Sequence, residues 1–106
     1  MSDWISLLPV AEFPSGASRC FLVRETRIAV FRTTEQWFAM DDVCPHAKAP
    51  LSDGWIEDGC VVCPWHGARF DLGTGEALTP PAASGVLVYR LRVENGTLQL
   101  EWPTKS

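Results

Sequence analysis

The two histidines of this 106-residue chain constrain it more than any other feature. Each stands two or three positions after a cysteine, in Cys44-Pro45-His46 and in Cys63-Pro64-Trp65-His66, with sixteen residues between His46 and Cys63. The pattern is C-x-H-x16-C-x-x-H: two short loops, each offering one thiolate and one imidazole to a shared centre. A lone C-x-H carries little weight. A chain that owns two histidines and places both this way does not do so by chance.

The remaining composition narrows the setting. The length suits one domain, able to bury roughly two-thirds of its unfolded surface without disulfides. Thirteen acidic against nine basic side chains give a formal charge of −4, with no Lys/Arg cluster, so nucleic acid is not an expected partner. No apolar run approaches the roughly 18–20 residues of a membrane span. The start, Met1 to Pro9, has no positive n-region and breaks at Pro9, so no signal peptide is expected. The expected setting is the cytoplasm, where four cysteines point first to metal or redox chemistry and only second to a disulfide framework.

Both ends of the chain read as strands. Cys20 to Val23 and Ile28 to Phe31 are rich in strand-forming types and are separated by polar Arg24 to Arg27, which predicts a hairpin. Gln36 to Met40 is a third short strand. In the tail, Leu87, Tyr89, Leu91 and Val93 fall on one face and Arg90 and Arg92 on the other. Asn95-Gly96 follows, the preferred pair of a type I′ turn, and Thr97 to Trp102 alternates again through Leu98, Leu100 and Trp102. Between the two ends, about Asp41 to Pro81, periodicity is poor. Five of the eight glycines fall there, which suggests a loop-rich insertion held by something other than a large apolar core.

Four words in that insertion, Cys-Pro-His at Cys44, Pro-Leu-Ser-Asp-Gly at Pro50, Cys-Pro-Trp-His-Gly at Cys63 and Phe-Asp-Leu-Gly-Thr-Gly at Phe70, are similar to those of the Rieske iron–sulfur proteins. The resemblance implies a single all-β domain: a Rieske-type antiparallel β-sandwich base from residues 1–40 and 82–106, with a small cluster-binding subdomain inserted at about 41–81. It also implies one 2Fe–2S cluster per chain, with Cys44 and Cys63 on one iron and His46 and His66 on the other. Imidazoles donate less charge than thiolates, so the His-bound iron is the reducible one and the potential exceeds that of an all-Cys cluster. High-potential relatives add a cysteine to each ligand loop and set Ser and Tyr hydroxyls against the cluster. Here Ala49 or its neighbours and Trp65 supply no such pair, while Ala68 and Phe70 stand in the hydroxyl positions. Without those donors the sulfurs keep more negative charge, and a potential at the low end of the range, about −150 mV, is expected.

Other readings of the same residues are open to test. A Cys2His2 zinc site uses the same ligand set, though zinc fingers usually place two or more residues between paired ligands. An all-Cys cluster from Cys20, Cys44, Cys60 and Cys63 fails on spacing. Cys60-Val61-Val62-Cys63 mimics a redox pair but lies in an apolar strand rather than before a helix. Cys20 and Cys60 read as buried small hydrophobes in strands, with a disulfide between them as the alternative. Pro80 to Gly85 is similar to the proline loop that covers the cluster in this family. Pro64 and Gly67 would shape the second loop, and Trp65 divides evenly between core and surface. Arg69 and Lys48 could steer a partner, and Asp41, Asp42, Asp53, Glu57 and Asp58 could form an acidic docking rim.

No residue set resembles a nucleophile with its base, so the chain is expected to carry electrons rather than to catalyse a reaction alone. The resemblance implies two roles. One is a free, monomeric ferredoxin passing electrons from a flavin-dependent reductase to the terminal oxygenase of a ring-hydroxylating system. The other is the small Rieske subunit of an NAD(P)H nitrite reductase, bound to the large subunit.

Overall fold

The computed structural model describes residues 3–34, 36–43, 50–65, 67–79 and 85–102. Ten strands run through them: β1 Asp3–Pro9, β2 Ser18–Val23, β3 Thr26–Arg32, β4 Trp37–Asp41, β5 Trp55–Glu57, β6 Cys60–Val62, β7 Arg69–Asp71, β8 Val88–Tyr89, β9 Leu91–Glu94 and β10 Thr97–Trp102. They form three antiparallel sheets of order β1-β10-β9, β2-β3-β4-β8 and β5-β6-β7. Among the described residues there is no α-helix, and no helix is long and apolar enough to cross a membrane.

The four-stranded sheet is the middle layer, and β3 shows why. Ile28, Ala29, Val30 and Phe31 are all fully buried, although successive strand residues point to opposite faces. A strand with four consecutive buried residues must be covered on both sides. Ile28 and Val30, with Ala39 of β4, pack against Leu8, Leu98 and Leu100 of the β1-β10-β9 sheet. Ala29 and Phe31, with Met40 of β4, pack against Leu51, Val61, Cys63, Ala68, Phe70 and Leu72, the face that the β5-β6-β7 sheet supplies. The middle of the chain therefore has its own sheet and a buried apolar cluster. That cluster is shared with Ala29, Phe31 and Met40 of the middle sheet, and the strands are only three residues long, which is why they show no readable period.

Local chemistry places the turns. Arg24 and Glu25 both have positive φ (48° and 67°), as do Asn95 and Gly96 (51° and 77°), as a type I′ hairpin requires at its two central residues. The tail hairpin forms with Leu98 opposite Val93 and Leu100 opposite Leu91. One expectation is corrected here: Val86 to Val93 is not one strand. Val88 and Tyr89 pair with Met40 and Ala39 of the middle sheet, and the chain crosses at Arg90 to pair with β10 in the first sheet. The Tyr89 hydroxyl donates to Asp41 at 2.6 Å and its ring stacks on Trp102 at 5.9 Å, which holds the crossing in place. Leu87 and Val93, expected on the buried face, are instead about half exposed.

Candidate metal centre

Of the four expected ligands, Cys63 is described, and Cys44, His46 and His66 lie outside the described residues, as do Lys48 and the body of the proline loop. Cys63 follows β6 directly and is completely buried among Leu51, Val61, Ala68 and Phe70. Its N–H donates to the Ala68 carbonyl (2.8 Å), and its carbonyl accepts the Gly67 N–H (3.0 Å). These two bonds close a tight turn, and Gly67 makes it possible with φ +71°, a conformation that a side chain resists. Two residues beyond the buried thiol, Trp65 is 65% exposed, which decides its reading in favour of the surface. Within one turn the chain passes from core to solvent.

The residues after the first expected ligand loop are equally well built. Pro50 leads into a single 3-10 turn, Leu51–Asp53, whose Leu51 is fully buried beside Cys63. Gly54 then packs so closely on β6 that a Cβ placed there would lie 2.0 Å from the Val62 carbonyl oxygen. At the near end, Asp42 donates its N–H to the Arg27 carbonyl (2.9 Å). Its carboxylate takes the Ser52 N–H (2.7 Å) and the Ser52 hydroxyl (2.6 Å). The fourth word of the motif is architectural: the Asp71 carboxylate accepts the N–H groups of Gly73 and Thr74 (3.0 and 2.8 Å) and turns β7 back on itself.

Several expected roles are corrected by these contacts. Asp42 is buried and Asp41 is engaged by Tyr89, so neither belongs to an acidic docking rim. Arg69 is not free to steer a partner, since its guanidinium bonds the Glu57 carboxylate and holds that group below the usual carboxylate range. Cys20 is exposed and Cys60 half-buried rather than core residues, and both are free thiols, not a disulfide. Partial burial, and then the neighbouring Asp42 carboxylate, push the Cys20 thiol up to about 11. The Asp42–Ser52 contact is the feature that reading the sequence missed, with Asp42 taken for a rim carboxylate and Ser52 not singled out. Its signal was the serine inside Pro-Leu-Ser-Asp-Gly and a carboxylate two residues ahead of Cys44.

The described donor set fits an iron–sulfur centre. A thiol enclosed by aliphatic and aromatic groups is a soft donor in a low-dielectric pocket, at a loop whose outer half is solvent-facing. Residues 3–90 match the Rieske [2Fe-2S] domain model, and the chain belongs to that family. It carries one 2Fe–2S cluster. The chain is 36% identical over 100 residues to the anthranilate 1,2-dioxygenase ferredoxin subunit of Burkholderia cepacia, covering 94% of this chain and 93% of the relative. Its fold is similar, at TM-score 0.86 and 27% identity, to a chain in the complex of reduced oxygenase and oxidised ferredoxin of carbazole 1,9a-dioxygenase, covering 97% of this chain and 96% of that one. It is also similar to an NADH-dependent nitrite reductase small subunit from Mycobacterium tuberculosis, at TM-score 0.89 and 23% identity over 99% of both chains, a likeness of fold alone.

Proposed function

We propose that the chain is a one-electron carrier, the ferredoxin component of a ring-hydroxylating dioxygenase system, taking electrons from a flavin-dependent reductase and delivering them to a terminal oxygenase in the cytoplasm. The observation that carries this is near full-length similarity to a dioxygenase ferredoxin subunit at 36% identity, over 94% of one chain and 93% of the other. In this reading Cys44 and Cys63 hold one iron and His46 and His66 the other, within a cluster-binding unit of about 41–81. The bound cluster supplies a site for one electron at moderate potential. The chain's own residues enclose the Cys63 thiol, keep water from it through Leu51, Ala68 and Phe70, and expose the outer half of the second loop, where a partner can approach.

The test is an EPR-monitored redox titration followed by reconstitution with a reductase and a terminal oxygenase of the aromatic-ring class. A rhombic signal of low average g and electron-dependent turnover support the reading. A colourless zinc protein after anaerobic reconstitution defeats it, and stable co-purification with a large flavin- and sirohaem-containing subunit would transfer the chain to nitrite reduction.

A further inference from the structure

Asp42 is 5% exposed, the one charged side chain that is buried among the described residues. Removing a carboxylate from water costs several kcal/mol unless its oxygens find donors. Both oxygens find them on a single residue: Oδ1 takes the Ser52 N–H and Oδ2 the Ser52 hydroxyl. Each half of this pair is tied in turn to the middle sheet. The Ser18 hydroxyl of β2 donates to the Ser52 carbonyl at 2.8 Å, and the Asp42 N–H is held by Arg27 of β3.

The location gives the pair its meaning. Asp42 and Ser52 flank residues 43–51, the segment that contains Cys44 and His46. On the Ser52 side, Leu51 shares the buried cluster of Cys63, and Gly54 abuts Val62, the residue before Cys63. The pair therefore joins both ends of the first loop and connects that closure to the base of the second. We propose that Asp42 and Ser52 form a clasp that positions the Cys44- and His46-bearing loop relative to the buried Cys63 thiol, an inference that rests on the ligand assignment above. Since that loop supplies one thiolate and one imidazole, the clasp governs a ligand of each iron at once. Asp42 and Ser52 are positioning residues, acting through the loop they close.

The test compares Asp42→Ala, Ser52→Ala and Asp42→Asn holoproteins by the g values of the reduced state and by the rate of bleaching in excess chelator. An Asn amide can accept the Ser52 N–H and donate to its hydroxyl, so Asp42→Asn preserves the clasp. Asp42→Ala is expected to bleach about tenfold faster than wild type, the usual scale for losing an outer-shell partner, with shifted and broadened g values. Ser52→Ala keeps one of the two bonds and falls between. Asp42→Asn stays within about twofold of wild type on the same scale. Leu98→Ala, which weakens the opposite face of the middle sheet, leaves the g values unchanged and so separates positioning from general destabilisation. Wild-type spectra and bleaching in Asp42→Ala and Ser52→Ala overturn the clasp, as does an Asp42→Asn protein that behaves like Asp42→Ala. If Asp42→Ala does not fold, Ser52→Ala against Asp42→Asn decides the matter alone. A wild-type protein without a Rieske signal would instead remove the ligand assignment itself.

Discussion

Replacing Gly54 by alanine isolates the contact that fixes the Leu51–Asp53 turn to the strand leading into Cys63. Gly54 has φ −81° and ψ −161°, an extended conformation that alanine adopts freely, so backbone preference contributes nothing. Space is the difficulty. The added Cβ would stand 2.0 Å from the Val62 carbonyl oxygen and 3.2 Å from that of Leu51, and neither partner is a flexible side-chain end. The β6 backbone must retreat by about 1 Å to reach the shortest tolerated contact, and overpacking of this kind costs about 3 kcal/mol. For a domain of this size that corresponds to a fall of more than about 10 °C in the apparent unfolding midpoint. The control is Gly59→Ala, where φ is +77° but nothing lies within 4 Å of the new Cβ. Strain there costs about 1 kcal/mol, or roughly 4–8 °C. Because Val62 adjoins Cys63, Gly54→Ala should also alter the EPR g values, while Gly59→Ala should not. The assay is far-UV circular dichroism melting of both holoproteins beside their reduced spectra. A Gly54→Ala protein that melts at or above Gly59→Ala with an unchanged spectrum would refute the reasoning.

Three further outcomes follow from the described contacts. At pH 8 a thiol pushed up to about 11 presents about a hundredfold less thiolate than one at the ordinary 9.0. Its greater intrinsic nucleophilicity recovers about tenfold of that, so in a Cys60→Ser background iodoacetamide should label Cys20 about tenfold more slowly than an unperturbed cysteine, with the rate still climbing towards pH 11; a plateau near pH 9 contradicts the raised value. Burial, and then the bond to Asp41, raise the Tyr89 hydroxyl above its usual 10.0. Its folded value exceeds its unfolded one, so the stabilisation is whole below pH 10 and fades as pH rises further; alkaline denaturation should be steeper in wild type than in Tyr89→Phe. Ala68→Ser combined with Phe70→Tyr should raise the midpoint by tens of millivolts from about −150 mV, read by redox titration, and an unmoved or wild-type-positive potential would contradict the outer-shell account.

The parts of the fold legible in the sequence are those where one period acts alone. Leu98, Leu100 and Asn95-Gly96 specify β10 and its turn, and the apolar run Ile28 to Phe31 specifies a strand, whose burial on both faces only the structure shows. The break at Arg90 was not legible. Alternation passes unchanged through residues that pair with different sheets, and only the Tyr89 contacts with Asp41 and Trp102 show where the chain crosses. The β5-β6-β7 sheet was hidden for a different reason, since three-residue strands are too short to display a period. The acidic residues near the site were misread because a count of carboxylates carries no information on burial. Asp41 and Asp42 are spent on internal bonds, and Glu57 on Arg69.

The two faces of β3 and β4 explain how so short a chain can hold a metal centre steadily. Ile28, Val30 and Ala39 belong to one apolar cluster and Ala29, Phe31 and Met40 to the other, so the same two strands serve the first sheet and the ligand-bearing sheet. Cys63 is itself a member of the second cluster, and the Asp42–Ser52 pair anchors to Arg27 of β3 and Ser18 of β2 in the same middle sheet. Cys63 and the residues on either side of 44–49 are thus tied to the most deeply buried strands among the described residues, by packing on one side and by hydrogen bonds on the other. Among the described residues of the Cys63 turn, Trp65 and Gly67 are exposed, where electron transfer needs proximity to a partner.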